Sequence, residues 1–138
     1  MEIIDANNLV FGRAASQIAK KLISGTDVQI INAEHFVLLG NSDQIVERYL
    51  TKRRLKNKAD PEKSPKWPNV PHLFVKRMIK GMLPKKTSRG RDAEKRLMVF
   101  TGNPKSLKSN LKLEKAGFDG VSKHITIAEL CKRIGYSG

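Results

Sequence analysis

Residues 2–31, EIIDANNLVFGRAASQIAKKLISGTDVQII, set two short apolar runs on either side of an amphipathic segment. Glu2-Ile3-Ile4-Asp5 reads as a short buried strand, followed by a turn through Asn7-Asn8. In Gly12–Ile23 the apolar side chains Ala15, Ile18, Ala19 and Leu22 recur at helical spacing, with Arg13, Gln17, Lys20 and Lys21 elsewhere on the wheel. Ser24-Gly25 ends that helix, glycine being the residue that tolerates a left-handed C-terminal turn. Val28-Gln29-Ile30-Ile31 is a second strand. Strand, helix and strand in this order form a βαβ unit, which requires a parallel sheet and places the chain in the α/β class. Phe36–Leu39 is a possible short third strand, but the link Asn32-Ala33-Glu34-His35 is too short for a parallel crossover. Its place in the sheet does not follow from the pattern.

Beyond this unit, Asn41-Ser42 can cap a helix carrying Ile45, Val46, Tyr49 and Leu50 on one side and running into Lys52-Arg53-Arg54 and Lys56. Four prolines within residues 61–71 forbid a helix or a central strand, so 57–72 reads as an extended Lys/Pro-rich loop. Helix returns over Leu73–Leu83, with Val75, Met78, Ile79 and Met82 on one face and Lys76, Arg77 and Lys80 pointing elsewhere. Pro84 stops it, and 84–91 reads as a basic loop. Asp92–Lys95 is one helical turn, Leu97–Phe100 a strand, and Gly102-Asn103-Pro104 a turn. Thr126-Ile127-Ala128-Glu129 is a capping box that opens a last helix, ended by Gly135. No repeat and no internal boundary appears, so 1–138 is expected to be a single domain.

The chain has 138 residues, 27 Lys+Arg against 13 Asp+Glu, and a net charge of +14. At 39% hydrophobic residues it is too apolar for a disordered basic tail. A single cysteine, Cys131, excludes an intrachain disulfide framework, and no Cys/His set has zinc spacing. Apolar runs of four or five residues fall far short of the ~20 of a membrane helix. The opening Met1-Glu2-Ile3-Ile4-Asp5 is acidic where a signal peptide would be basic. The expectation is a soluble cytoplasmic chain with no membrane partner, no cofactor and no small-molecule substrate. The charge is concentrated: residues 1–50 carry net −2, 51–100 net +12 and 101–138 net +4. Sixteen cations in fifty residues repel one another, and a polyanionic partner offsets that repulsion.

Catalytic signals are weak. Gly12-Arg13 opens a helix after a strand, where α/β proteins bind phosphates, but the turn lacks both the three-glycine and the Gly-Lys-Ser/Thr patterns. An α/β enzyme holding a nucleotide there is the alternative reading. His35, His72 and His124 are scattered, and Cys131 sits inside an amphipathic segment as a structural thiol. Asp5, at the carboxyl end of a strand, is the one acid worth testing as catalytic, although a capping role suits it better. Trp67 in Lys66-Trp67-Pro68 either stacks on an exposed base or anchors its loop to the domain. The cations Lys52, Arg53, Arg54, Lys56, Lys58, Lys66, Lys76, Arg77, Lys80, Lys85, Lys86, Arg89, Arg91 and Arg96, with Lys63 and Lys95 among them, occupy a helix end, two loops and a helix face. Broad phosphate contact without a base-reading motif fits folded RNA, recognised by shape. A cationic module binding messenger RNA is a third reading.

Ile79-Lys80-Gly81-Met82-Leu83-Pro84, then five residues to Gly90-Arg91, then five to Leu97-x-Val99-Phe100-x-Gly102, resembles the signature of the large-subunit ribosomal protein L-thirteen family. Asp5-Ala6, Gly12-Arg13-x-Ala15-Ser16, Val28-x-Ile30-x-Asn32-Ala33-Glu34 and Gly40-Asn41 match the same family in the same order. The matches run from residue 3 to about 103, and the Lys/Pro loop and Ile-Ala-Glu-Leu helix are archaeal in style. The resemblance implies a three-layer α/β/α fold with a four-stranded parallel sheet, giving Phe36–Leu39 a possible place in it. It implies a structural, non-enzymatic constituent of the large ribosomal subunit that binds large-subunit rRNA early in assembly, beside neighbouring ribosomal proteins. Carried over, Arg13, Lys80, Lys85, Lys86, Arg89 and Arg91 contact phosphates, and Gly81, Pro84 and Gly90 shape the loop.

Overall fold

β1 (Glu2–Asp5) and β2 (Val28–Ile31) pair in parallel with Ile4 opposite Ile30, and α1 (Phe11–Ile23) is the crossover between them. The computed structural model describes residues 1–113 and 115–137. α1 buries Phe11, Ala14, Ala15, Ile18, Ala19 and Leu22. Its three alanines present little bulk, so the helix can lie close to its neighbours. A 3-10 turn at Ala33–His35 leads to β3 (Val37–Leu39) and α2 (Ser42–Arg54), whose first turn is capped by the Asn41 side chain accepting from the Asp43 amide. Then follow α3 (Pro71–Lys80), α4 (Ser88–Lys95), β4 (Leu97–Val99), β5 (His124–Thr126) and α5 (Ile127–Arg133).

β4 returns to the other side of β2, again parallel, with Leu97 opposite Val28. The order β1-β2-β4 makes β2 central, and all four of its residues are buried. The chain is α/β with a small, mostly parallel sheet. The sheet has three strands, however, and the fourth strand implied at Phe36–Leu39 lies outside it. β3 pairs antiparallel with β5, Val37 opposite Thr126. The short link explains this: Asn32 takes a left-handed conformation (φ 55°) into the 3-10 turn, and the few residues between β2 and β3 cannot make a parallel crossover. The Val37 amide then donates to the Leu9 carbonyl, and the Ile127 amide to that of Phe36.

Two helix boundaries also differ from the sequence pattern. α3 starts at Pro71 rather than Leu73, because proline fits the first helical position, where an amide would be unpaired. It ends at Lys80, and single turns carry the chain through Met82 and Leu83. The extended stretch after α2 accordingly ends at Val70 and holds a 3-10 turn at Pro61–Lys63. The basic segment 84–91 is not a loop throughout, since α4 begins at Ser88. Thr87 caps it, its hydroxyl accepting from the Gly90 amide at 3.3 Å. Glycine at residue 90 lowers intrinsic helix propensity and so disguises the helix. Its presence has a tertiary cause: a Cβ there would sit 1.8 Å from the Pro84 carbonyl oxygen.

The core gathers α1, the sheet, α3 and α5, with Phe11 edge-on to Phe36 at 5.3 Å. At the last helix the Thr126 hydroxyl accepts from the Glu129 amide, the capping interaction its sequence encodes. Cys131 is fully buried, and burial pushes its thiol up to about 11, with the Arg53 charge opposing.

Gly90→Ala should lower stability in urea by about 1–3 kcal/mol through overpacking against Pro84. Gly12→Ala, also helical but with nothing within 4 Å of the added Cβ, should raise it by ~0.5–1 kcal/mol. A loss in the first and a gain in the second separates tertiary contact from propensity. Cys131, uncharged at pH 8, should resist alkylation in the native protein and react fully once unfolded in denaturant.

Candidate nucleic-acid interface

α2 turns Ile45, Val46 and Tyr49 inward, which leaves Lys52 and Arg54 at its cationic last turn on the outer side or at its edge. The next segment folds back so that Trp67 packs edge-on to Tyr49 (5.6 Å between ring centroids) and tilted against Phe74 (6.0 Å). Two cations lie over the same indole, the Lys52 ammonium at 4.7 Å and the Arg77 guanidinium at 4.5 Å from its centre. Arg77 also donates to the Lys66 carbonyl. Of the two readings of Trp67, these contacts supply the anchor: the ring pins the proline-rich segment to α2 and α3. Tyr49 reads as a core residue in sequence, yet it also brackets Lys52, at 5.0 Å. The three-residue step from Tyr49 to Lys52 on one helix was the available signal.

Tyr49, Lys52, Trp67, Arg77, Lys80, Gly81 and Lys85 line a cleft of about 470 Å³. Lys85 also lines a second cleft of about 270 Å³ with Pro84, Gly90, Arg91 and Glu94. Helix, proline-rich segment and basic turn thus bring cations far apart in sequence onto one region. Little of that charge is neutralised within the chain. Of the sixteen basic residues in 51–100, only Lys63 (to Asp60, 3.2 Å) and Lys80 (to Glu94, 2.9 Å) form an ion pair among the described residues. Arg54, Lys56, Lys58, Lys66, Lys85, Lys86 and Arg91 are exposed, and Lys76 is half-buried.

Two of the predicted contacts also bond to the end of α1, and a third is half-buried. Arg96 donates to the Leu22 carbonyl (3.2 Å) and Arg89 to that of Ile23 (3.4 Å), placing two cations at the C-terminal end of α1, where they complement its dipole. Arg53 is half-buried, and its Nη1 has no hydrogen-bond partner and no exposure. Arg13 is exposed at the other end of α1, about 15 Å along the axis from Ile23 at 1.5 Å per residue, so it stands apart from the main cluster. Gly81 ends α3 at φ −62°, a conformation open to any residue, while a Cβ would crowd the Met78 carbonyl at 3.3 Å. Pro84 presents its carbonyl to Gly90 and accepts from the Thr87 hydroxyl at 3.4 Å.

The residues considered for catalysis have structural partners. Asp5 accepts from the Asn7 amide and the Asn32 side chain, each at 3.0 Å, and so joins the ends of β1 and β2. Burial works to raise its pKa, but the hydrogen bonds from Asn32 and Asn7, with the His35 charge, hold it below the ordinary carboxylate value. His35 lies 3.6 Å from Glu34, His72 bonds Thr101 at 3.2 Å, and His124 bonds the Ser122 carbonyl at 2.9 Å. Glu34 itself accepts from the Gly102 amide at 2.9 Å, tying the turn after β2 to the exit of β4. Among the described residues no group of His, Cys, Asp or Glu could hold a metal ion, and no helix is long and apolar enough to cross a membrane.

Comparison with known proteins agrees with the surface. The family model for ribosomal protein L13 matches residues 1–106. The large ribosomal subunit protein uL13 of Methanocaldococcus jannaschii is 41% identical over 136 residues, covering 98% of each chain. That of Archaeoglobus fulgidus is 40% identical over 141 residues, 99% of this chain and 88% of its own. That of Methanopyrus kandleri is 36% identical over 140 residues, 97% of this chain and 86% of its own. With a match over three-quarters of its length and archaeal relatives similar almost from end to end, the chain belongs to the ribosomal protein L13 family.

Proposed function

We infer that this chain is a structural constituent of the large ribosomal subunit, holding folded large-subunit rRNA through its basic middle third early in assembly. The relatives carry that subunit in their names, and the family consists of structural constituents of the ribosome, not enzymes. The observation that carries the reading is the uncompensated charge: net +12 over residues 51–100, with two of sixteen cations in ion pairs among the described residues. Such a surface is stabilised by releasing the counterions condensed on a nucleic acid. Its cations sit on three helices, a proline-rich segment and a turn, which suits phosphates presented by a folded RNA better than one groove of a duplex. Arg54, Lys56, Lys58, Lys66, Lys86 and Arg91 are the exposed side chains proposed for phosphate contact, with Lys76 at the margin and Arg13 as a separate point. Neighbouring large-subunit proteins would complete the contacts, and the cytoplasm is where such a particle works. The nucleotide-enzyme reading of Gly12-Arg13 has no support. Gly12 is an ordinary helical residue with no left-handed backbone, and the family carries no activity.

The chain should co-sediment with large subunits after a high-salt wash. Recovery in the supernatant, with subunits intact, would count against the ribosomal role. Lys86→Ala with Arg91→Ala should reduce the slope of log affinity for rRNA against log salt by about 1.4–1.8, at ~0.7–0.9 per lost phosphate contact. Stability should move by less than ~0.5 kcal/mol, since both side chains are exposed and make no ion pair among the described residues.

A further inference from the structure

The cleft between α2 and α3 has a feature that a generally basic surface does not require. Lys52 and Arg77 are both held within 5 Å of the Trp67 ring centre, and Lys85 faces them from the turn after α3. None of the three is in an ion pair with a carboxylate among the described residues. Lys80, the fourth cation of the cleft, is answered by Glu94 at 2.9 Å. Like charges so placed repel, and the repulsion is relieved by an anion seated between them.

We propose that this cleft seats a backbone phosphate of the bound RNA, with Lys52, Arg77 and Lys85 as its ligands and Trp67 as the residue that positions the first two. The proposal rests on the RNA-binding reading above and assigns it a site. The cations are ordered before the anion arrives. Lys52 is bracketed by Tyr49 (5.0 Å) and Trp67 (4.7 Å), and Arg77 is fixed by the indole and by its bond to the Lys66 carbonyl. Side chains already ordered lose less entropy on binding. A guanidinium has five N–H donors in a planar fork, so the bond to Lys66 leaves others for a phosphate. At about 470 Å³ the cleft is open enough for a chain segment to pass, and Gly81 on its wall has no side chain to obstruct it. The indole already carries two cations, which favours phosphate over a stacked base as the occupant.

Trp67 is the only tryptophan in the chain, so its fluorescence reports on the cleft directly. The native full-length protein is titrated with a nine-residue oligouridylate, an abasic ribose-phosphate oligomer of the same length, uridine, and poly-glutamate. Both phosphate oligomers should shift Trp67 emission in a saturable, salt-screened manner, and uridine and poly-glutamate should not. A response to uridine equal to that of the oligomers would make the cleft a base site. An equal response to poly-glutamate would make it a site for acidic protein. Either result overturns the proposal. In a second measurement, Lys52→Gln with Lys85→Gln should weaken binding of the abasic oligomer at least tenfold more than Lys108→Gln with Lys123→Gln. The second pair removes the same charge from exposed positions elsewhere. Circular dichroism confirms that both variants fold, and the titration of the unmodified protein decides the matter if one does not. Equal weakening by the two pairs would also overturn the assignment. If emission is unmoved while the chain still co-sediments with large subunits, the cleft assignment fails and the ribosomal reading stands. If co-sedimentation fails, the reading beneath it fails.

Discussion

A four-residue strand buried at every position, with a parallel neighbour on each side, is the constraint on which this molecule is built. Parallel pairing cannot be made by a hairpin, so each neighbour of β2 needs a crossover. The first is local, and α1 alone supplies it. The second runs from Ile31 to Leu97, and the protein has enlarged it to hold α2, the proline-rich segment, α3 and α4. All the concentrated positive charge lies inside that one connection. The sheet therefore acts as a clamp on the two ends of the basic region, and the nearly neutral first fifty residues supply much of the apolar body to which it is fastened.

Charge within the enlarged crossover serves two purposes. Arg89 and Arg96 close the carbonyl end of α1, and Arg77 and Lys52 grip the Trp67 ring, so part of the cationic set also supports the fold. Exposed residues such as Lys86 and Arg91 make no ion pair among the described residues. The fold thus offsets some of its self-repulsion with helix dipoles and aromatic faces, which stabilise a cation without cancelling its charge. Carboxylates would have cancelled it and left less for an RNA to meet.

What the sequence revealed was what depends on near neighbours. The βαβ unit, the capped start of α2 and the Thr126 cap of α5 are set by periodicity and by side chains a few residues apart, and the structure contains them. The reasons for the other features lie far along the chain. β3 could not be placed because its partner is β5, and Gly90 looked like a loop residue because the Pro84 carbonyl that demands it is brought close only by folding. Arg53, Arg96 and Trp67 have the composition of a binding surface, and only tertiary structure shows Arg53 half-buried, Arg96 on the Leu22 carbonyl and Trp67 as an anchor. Charge density was legible as a regional property. Which cations remain free for a partner was not, because that depends on which carbonyls and rings lie within reach.

The pairing of β3 with β5 bears on how the protein is made. Residues 37–39 leave the synthesising ribosome early, whereas their partners, residues 124–126, are among the last to appear. Until then β3 is an open strand edge whose backbone bonds to Leu9. The partners that pair β1 with β2 are both present once β2 has emerged, whereas the β3–β5 seam must wait for nearly the whole chain. An unpaired edge of only three residues gives little purchase to another chain, which limits the hazard of the wait.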